Sequence, residues 1–188
     1  IPLRLVGSEM CIRDRFDTEI IETANLISLE IQKQPLTDVF NNIFEECYLT
    51  GKKGEWLGQY LTPNDVSELL TELASLNKEN NYSIGDICAG TGSLIFPLLK
   101  KIHKMEGYEG VQKIELLYND IDPLMAQLFM AQILTNMIYH NLDFKSLHVY
   151  IGNAITEYDT VKTLFLRVKQ NPLVAQRVLE IDREKKAA

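Results

Sequence analysis

The sequence predicts an α/β domain built on an incomplete parallel sheet, preceded by N-terminal helices. Short apolar runs at 83–88, 114–118 and 147–151 are separated by segments of ten or more residues with helical periodicity, the spacing of parallel strands joined by helical crossovers. Each run also ends in a glycine-rich or polar turn, at 86–92, 119–123 and 152–154, and open parallel sheets bind ligands at these carboxyl ends.

Residues 1–15, IPLRLVGSEMCIRDR, show neither helical nor strand periodicity and are expected to be a non-native or disordered leader, since VGSEMCIRDR reads like translated adapter sequence. Residues 16–53 form an N-terminal helical region. Ile20, Ile21, Ala24, Ile27 and Ile31, then Val39, Phe40, Ile43, Phe44 and Cys47, recur at helical spacing with a break near Pro35. Residues 54–160 hold the strands. They open on a helix with Thr62 as expected N-cap, Pro63 at the first helical position and Asp65 three residues after Thr62. Val66, Leu69, Leu70, Leu73 and Ala74 give that helix one apolar face, expected to be buried. A helix from Ser93 to Met105 follows the first strand, and Asp122-Pro123 caps a buried helix running to about Asn141. Residues 161–188 read as a basic helical tail, with helices over Val161–Lys169 and Leu173–Lys185.

Composition excludes several classes. The apolar fraction of 46% and charged fraction of 24% are those of a packed domain, and no run reaches the ~20 apolar residues of a membrane span. Cys11, Cys47 and Cys88 form no CxxC pair, and His103, His140 and His148 share no ligand spacing; no metal site and no disulfide framework are expected, and a reducing cytoplasm is the simpler setting. Net charge is −7, but from Val161 onward seven basic side chains face three acidic ones, leaving the rest at −11. That body is no phosphate-binding surface. Contact with DNA would have to come from the tail, from further sequence or from a partner.

The chemistry lies in the three turns. In Asp86–Gly92, DICAGTG, Gly90 and Gly92 let the backbone turn sharply and approach a ligand closely. A dinucleotide fingerprint would require glycine at Ile95, and no Gly-Lys-Ser/Thr phosphate loop occurs, so a ligand without phosphates is expected. S-adenosylmethionine qualifies, with a carboxylate for the following helix N-terminus and an ammonium for Asp86. Asp122 has a local task as N-cap; Asp120 has none, and its carboxylate can accept two ribose hydroxyls. Asn153 offers the donor and acceptor that an adenine edge needs, though asparagine equally suits a turn.

Taken in order, GQYLTP, DICAGTGSL, YNDIDP and GNA resemble the cofactor-binding motifs of adenine-N6 DNA methyltransferases, especially the modification subunits of type I restriction systems, over residues 58–156. The resemblance implies a Rossmann-like S-adenosylmethionine-dependent methyltransferase fold. It implies that Gln59, Tyr60, Leu61, Thr62 and Pro63 wrap the methionine end of S-adenosylmethionine, and that Asp86, Ala89, Gly90, Thr91, Gly92 and Ser93 form the cofactor loop. Asp120 would hold the ribose, Ile121 would pack on the adenine ring and Asn153 would bind its exocyclic amine. Implied partners are DNA, reached through further sequence or a specificity subunit, and other restriction-modification subunits.

One family feature has no match. The Asn-Pro-Pro-Tyr type loop that receives the target adenine amine is represented only by Asn171-Pro-Leu-Val174, which lacks the second proline and the aromatic and reads as a helix break. The chain is therefore expected to be a cofactor-binding fragment, inactive alone. The alternatives are a non-catalytic cofactor-binding module, or a methyltransferase acting on RNA, protein or a small molecule.

Overall fold

A computed structural model describes residues 4–44, 62–76, 81–157 and 163–187. Its elements run α1 (Arg4–Lys33), α2 (Val39–Phe44), α3 (Asn64–Leu73), β1 (Tyr82–Asp86), α4 (Ile95–Val111), β2 (Ile114–Asp120), α5 (Pro123–Tyr139), β3 (Ser146–Ile151), β4 (Leu164–Lys169) and α6 (Pro172–Ala187). The four strands form one sheet in the order β1-β2-β3-β4. The first three are parallel, with Ile84 opposite Leu116 and Leu116 opposite Leu147.

The core lies between this sheet and the crossover helices. Leu116, Tyr118, Leu147 and Val149 project from β2 and β3 onto Phe96, Leu99 and Ile102 of α4 and Ala126, Phe129 and Ile133 of α5. Phe129 stacks on the Tyr118 ring with centroids 4.2 Å apart, and Phe96 tilts against Phe129 at 5.8 Å. Burying one such aromatic side chain contributes roughly 1.5–3 kcal/mol. Asp122 caps α5 as expected, its Oδ1 accepting the Leu124 N–H at 2.8 Å.

Four local expectations are corrected. Helix α1 begins at Arg4, inside the stretch expected to be a leader without helix. After Pro2 that stretch contains no proline, and Leu5, Glu9, Met10, Arg13 and Arg15 are good helix formers that outweigh the single Gly7, which costs about 1 kcal/mol, so the helix extends toward the N-terminus.

Helix α3 begins at Asn64, so Thr62 is not its N-cap, and the residue in that position, Pro63, has no side chain able to cap. The helix also turns its polar side inward. Ser67 and Thr71 are buried, whereas Val66, Leu69, Leu70 and Leu73 are exposed, Leu73 by 70%. Its seat is polar: the Lys101 ammonium donates to the carbonyls of Thr71, Glu72 and Ala74, where a cation also meets the negative end of the helix dipole.

Residues 164–169, expected to be helical, form β4, which pairs antiparallel to β3 with Leu147 opposite Val168 and Ser146 opposite Lys169. The sheet is thus parallel with one antiparallel edge. Leu164, Leu166 and Val168 are partly buried while Phe165, Arg167 and Lys169 face solvent, the period of two that a half-covered edge strand requires.

Candidate functional site

The three turns expected to carry chemistry come together at the carboxyl ends of β1, β2 and β3. Asn119, not singled out by the sequence, fastens them. Its Nδ2 donates to the Ile87 carbonyl at 2.9 Å and to the Gly152 carbonyl at 3.1 Å, while its own carbonyl accepts the Ala89 N–H. The Gly152 N–H in turn bonds the Asp120 carbonyl at 3.0 Å.

The glycine turn is strained in a way only glycine accepts. Gly90 has φ 56° and Gly92 has φ 101°. A Cβ on Gly92 would stand 2.8 Å from Phe129 Cδ2 and 2.9 Å from Phe96 Cε2, so the turn is pressed against the core. Behind it the Tyr118 hydroxyl donates to the Gly90 carbonyl at 2.6 Å. Burial pushes that phenol well above its ordinary value, with Asp120 and Asp86 next in effect, so it stays a neutral donor.

Asp120 has a local task after all. Its Oδ2 accepts the Gly90 N–H at 2.8 Å and its Oδ1 accepts the Asp122 N–H at 2.9 Å. One buried carboxylate therefore ties the glycine turn to the turn after β2, and each oxygen retains a further acceptor site. Asp86, half-buried, accepts the Cys88 N–H at 3.1 Å. Burial holds its carboxyl above the usual range, partly offset by the Cys88 N–H and reinforced by the charge of Asp120. Among the described residues neither acid has an ion-pair partner. These strand ends thus hold two carboxylates without an ion-pair partner among the described residues, a setting that favours a cationic ligand.

The remaining expected residues separate. Ala89, Thr91, Gly92 and Ser93 are buried in the turn. Ile121 is 66% exposed beside Asp120, an apolar face offered to solvent. The Asn153 Oδ1 accepts the Ile155 and Thr156 N–H groups at 2.9 and 3.3 Å, the turn role left open by the sequence. Thr62 and Pro63 precede α3, where the Thr62 carbonyl accepts from Asn41 Nδ2. Gln59, Tyr60 and Leu61 lie outside the described residues.

The candidate target-base segment sits elsewhere. Because β4 is antiparallel, Asn171-Pro172 follows the strand at the edge of the sheet opposite the three turns. There the Asn171 Oδ1 caps α6 by accepting the Leu173 N–H at 3.1 Å, which is the helix-boundary role expected of it.

A parallel sheet with a glycine turn running into a helix, acids at adjacent strand ends and no phosphate loop is the arrangement of a Rossmann-like methyltransferase fold. The model of the family described as N-6 DNA Methylase matches residues 32–183, and the chain belongs to that family. It is also similar to the Type I restriction enzyme MpnII methylase subunit of Mycoplasma pneumoniae, with 26% identity over 156 residues. That match covers 80% of this chain but 27% of the relative, so the chain spans about a quarter of that protein's length. No solved structure matches.

Proposed function

We propose that the chain binds S-adenosylmethionine at the ends of β1, β2 and β3, as the cofactor-binding part of a DNA adenine-N6 methyltransferase of the restriction-modification kind. The observation that carries this reading is the pair of carboxylates without an ion-pair partner among the described residues, Asp86 and Asp120, flanking the glycine turn. The cofactor carries a sulfonium and an ammonium, so it supplies positive charge to match these two carboxylates. When bound, it provides an electrophilic methyl group.

The residues divide the work. The remaining acceptor sites of Asp120 take the ribose hydroxyls, and Asp86 takes the ammonium. Ala89, Gly90, Thr91, Gly92 and Ser93 line the methionine portion, whose carboxylate meets the N-terminus of α4. Ile121 lies on the adenine ring. Asn153 has its Oδ1 on two turn N–H groups, so it is left to donate from its carboxamide N–H2 to a ring nitrogen rather than to accept from the exocyclic amine as the resemblance implies. Gln59, Tyr60, Leu61, Thr62 and Pro63 close over the methionine end, the role implied by the GQYLTP resemblance.

Methyl transfer to adenine needs acceptors for the amine and an aromatic face for the flipped base. The position of Asn171 at the far edge of the sheet supports the reading that this chain does not itself supply them. DNA, and any specificity subunit, would then be engaged by other parts of the parent protein or by partners. The test is to incubate the purified chain with labelled cofactor and adenine-containing duplex or single-stranded DNA, and with RNA as a control. Cofactor bound without transfer is the expected result. Label in adenine that Asp120→Ala abolishes would show that the target-base groups are present, and label in RNA alone would overturn the DNA assignment.

A further inference from the structure

The segment between α1 and α2 makes a buried polar junction that neither the motifs nor the proposed chemistry uses. Leu36, with φ 59°, donates its N–H to Asn136 Oδ1 at 2.7 Å. Val39 and Phe40 donate theirs to Gln132 Oε1 at 2.6 and 3.3 Å. Asp38 lies at the centre. Its Oδ1 caps α2 by accepting the Asn41 N–H at 3.1 Å and also accepts from Gln132 Nε2 at 2.9 Å. Its Oδ2 accepts from the Thr91 hydroxyl, in the middle of the glycine turn, at 2.9 Å. Gln132 Nε2 reaches the Thr91 carbonyl as well, at 3.2 Å.

Three residues further on, Asn41 is fully buried and donates to the Thr62 carbonyl at 3.0 Å and to Asn64 Oδ1 at 2.8 Å. One short stretch of chain therefore grips the glycine turn with one side chain and the entry to α3 with another. These are the two separate arms to which the cofactor site was assigned, so the inference rests on that assignment.

We propose that Asp38 and Asn41 are positioning residues that hold the glycine turn at Thr91 and the chain at Thr62 in register with each other. A buried carboxylate is costly unless its oxygens are satisfied, and here Asp38 receives donors from α2, α5 and the turn at once. The donors on Asp38 fix one geometry, although the buried Asn41 Oδ1 beside it accepts no hydrogen bond among the described residues: Thr91 cannot shift without stripping a donor from Asp38, and Asp38 cannot shift without uncapping α2. The N-terminal helical region is thereby a working part of the cofactor site, although it would touch no cofactor atom.

The test separates positioning from a merely structural role by working where every variant is folded. Asp38→Ala removes the acceptors, whereas Asp38→Asn keeps an acceptor for Gln132 and Asn41 and offers a donor to the Thr91 oxygen. Cofactor affinity by calorimetry is expected to fall by about tenfold or more in Asp38→Ala and to stay within roughly threefold of wild type in Asp38→Asn. Hydrogen exchange of the Gly90 and Gly92 amides, measured without cofactor, is expected to speed up in Asp38→Ala and not in Asp38→Asn, while the Phe129 amide is unchanged. Thr91→Val probes the same contact from the other side and serves if Asp38→Ala fails to fold. Asn41→Asp, isosteric but with no donor for Thr62, is expected to weaken binding without changing exchange at Gly90. Folded Asp38→Ala or Thr91→Val with wild-type exchange and affinity would overturn the proposal. A wild-type chain that binds no cofactor would overturn the proposed function instead, and the exchange rates would still decide whether Asp38 holds the turn.

Discussion

Gly92→Ala probes how tightly the glycine turn is pressed on the core. The added Cβ would meet Phe129 at 2.8 Å and Phe96 at 2.9 Å, on a backbone with φ 101°. The backbone term alone costs about 1–3 kcal/mol. Overpacking adds about 1–3 kcal/mol, because Phe129 is held by its stack on Tyr118, whose hydroxyl bonds Gly90, and cannot retreat without disturbing the same turn. The expected loss is ~2–6 kcal/mol out of a typical stability of 5–15 kcal/mol. Urea unfolding should show a lower midpoint at unchanged slope. Phe129→Leu makes room for the Cβ, so the double variant should lose less than the sum of the single changes by more than about 0.5 kcal/mol. A Gly92→Ala protein within about 0.5 kcal/mol of wild type, or strict additivity with Phe129→Leu, would refute the close-approach argument.

Other consequences are equally open to measurement. Asp38 is held above the ordinary carboxylate value of 3.8, chiefly by burial and against the pull of its hydrogen bonds from Gln132 and Thr91. A raised folded value favours folding below the unfolded value, and that contribution is lost as pH rises through the folded one. The stability of Asp38→Asn relative to wild type should therefore increase from pH 4 upward in urea titrations, and a decrease over that range would contradict the shift. Replacing Leu69 and Leu73 of α3 by Lys should change stability by no more than about 0.5 kcal/mol each, because both face solvent. Thr71→Leu, on the buried polar side of the same helix, should cost about 1–3 kcal/mol in the same unfolding assay. Equal losses on both faces would mean that α3 is oriented the other way.

The sheet and its turns were legible because strand, turn and helix each left an independent mark. Asp122-Pro123 announced the start of α5, and the glycines at 90 and 92 marked a turn that their positive φ angles require. Strand β4 was hidden by an ambiguity of period. Val161, Leu164, Phe165 and Val168 fit helical spacing, while Leu164, Leu166 and Val168 fit a strand, and pairing with β3 decides in favour of the strand. Helix α3 was misjudged because apolar patterning says which residues share a face, not which face meets the core. The lysine that seats it, Lys101, comes from another helix. Asp38 was invisible as a site residue since an aspartate ahead of a short helix is already explained as a cap; its second oxygen finds Thr91 only across 53 positions of chain.

The measurement that bears most directly on the central claim is a calorimetric titration of S-adenosylmethionine into the wild-type chain and into Asp120→Ala, with folding of both checked by far-UV circular dichroism. Saturable one-to-one binding is expected for the wild type. Asp120→Ala should weaken it by about 1.5–3 kcal/mol, since the change removes the charged acceptor proposed for the ribose and releases the Gly90 N–H it holds. A folded wild-type chain that takes up no cofactor, or a folded Asp120→Ala chain that binds it as tightly as wild type, would contradict the assignment of these strand ends to the cofactor.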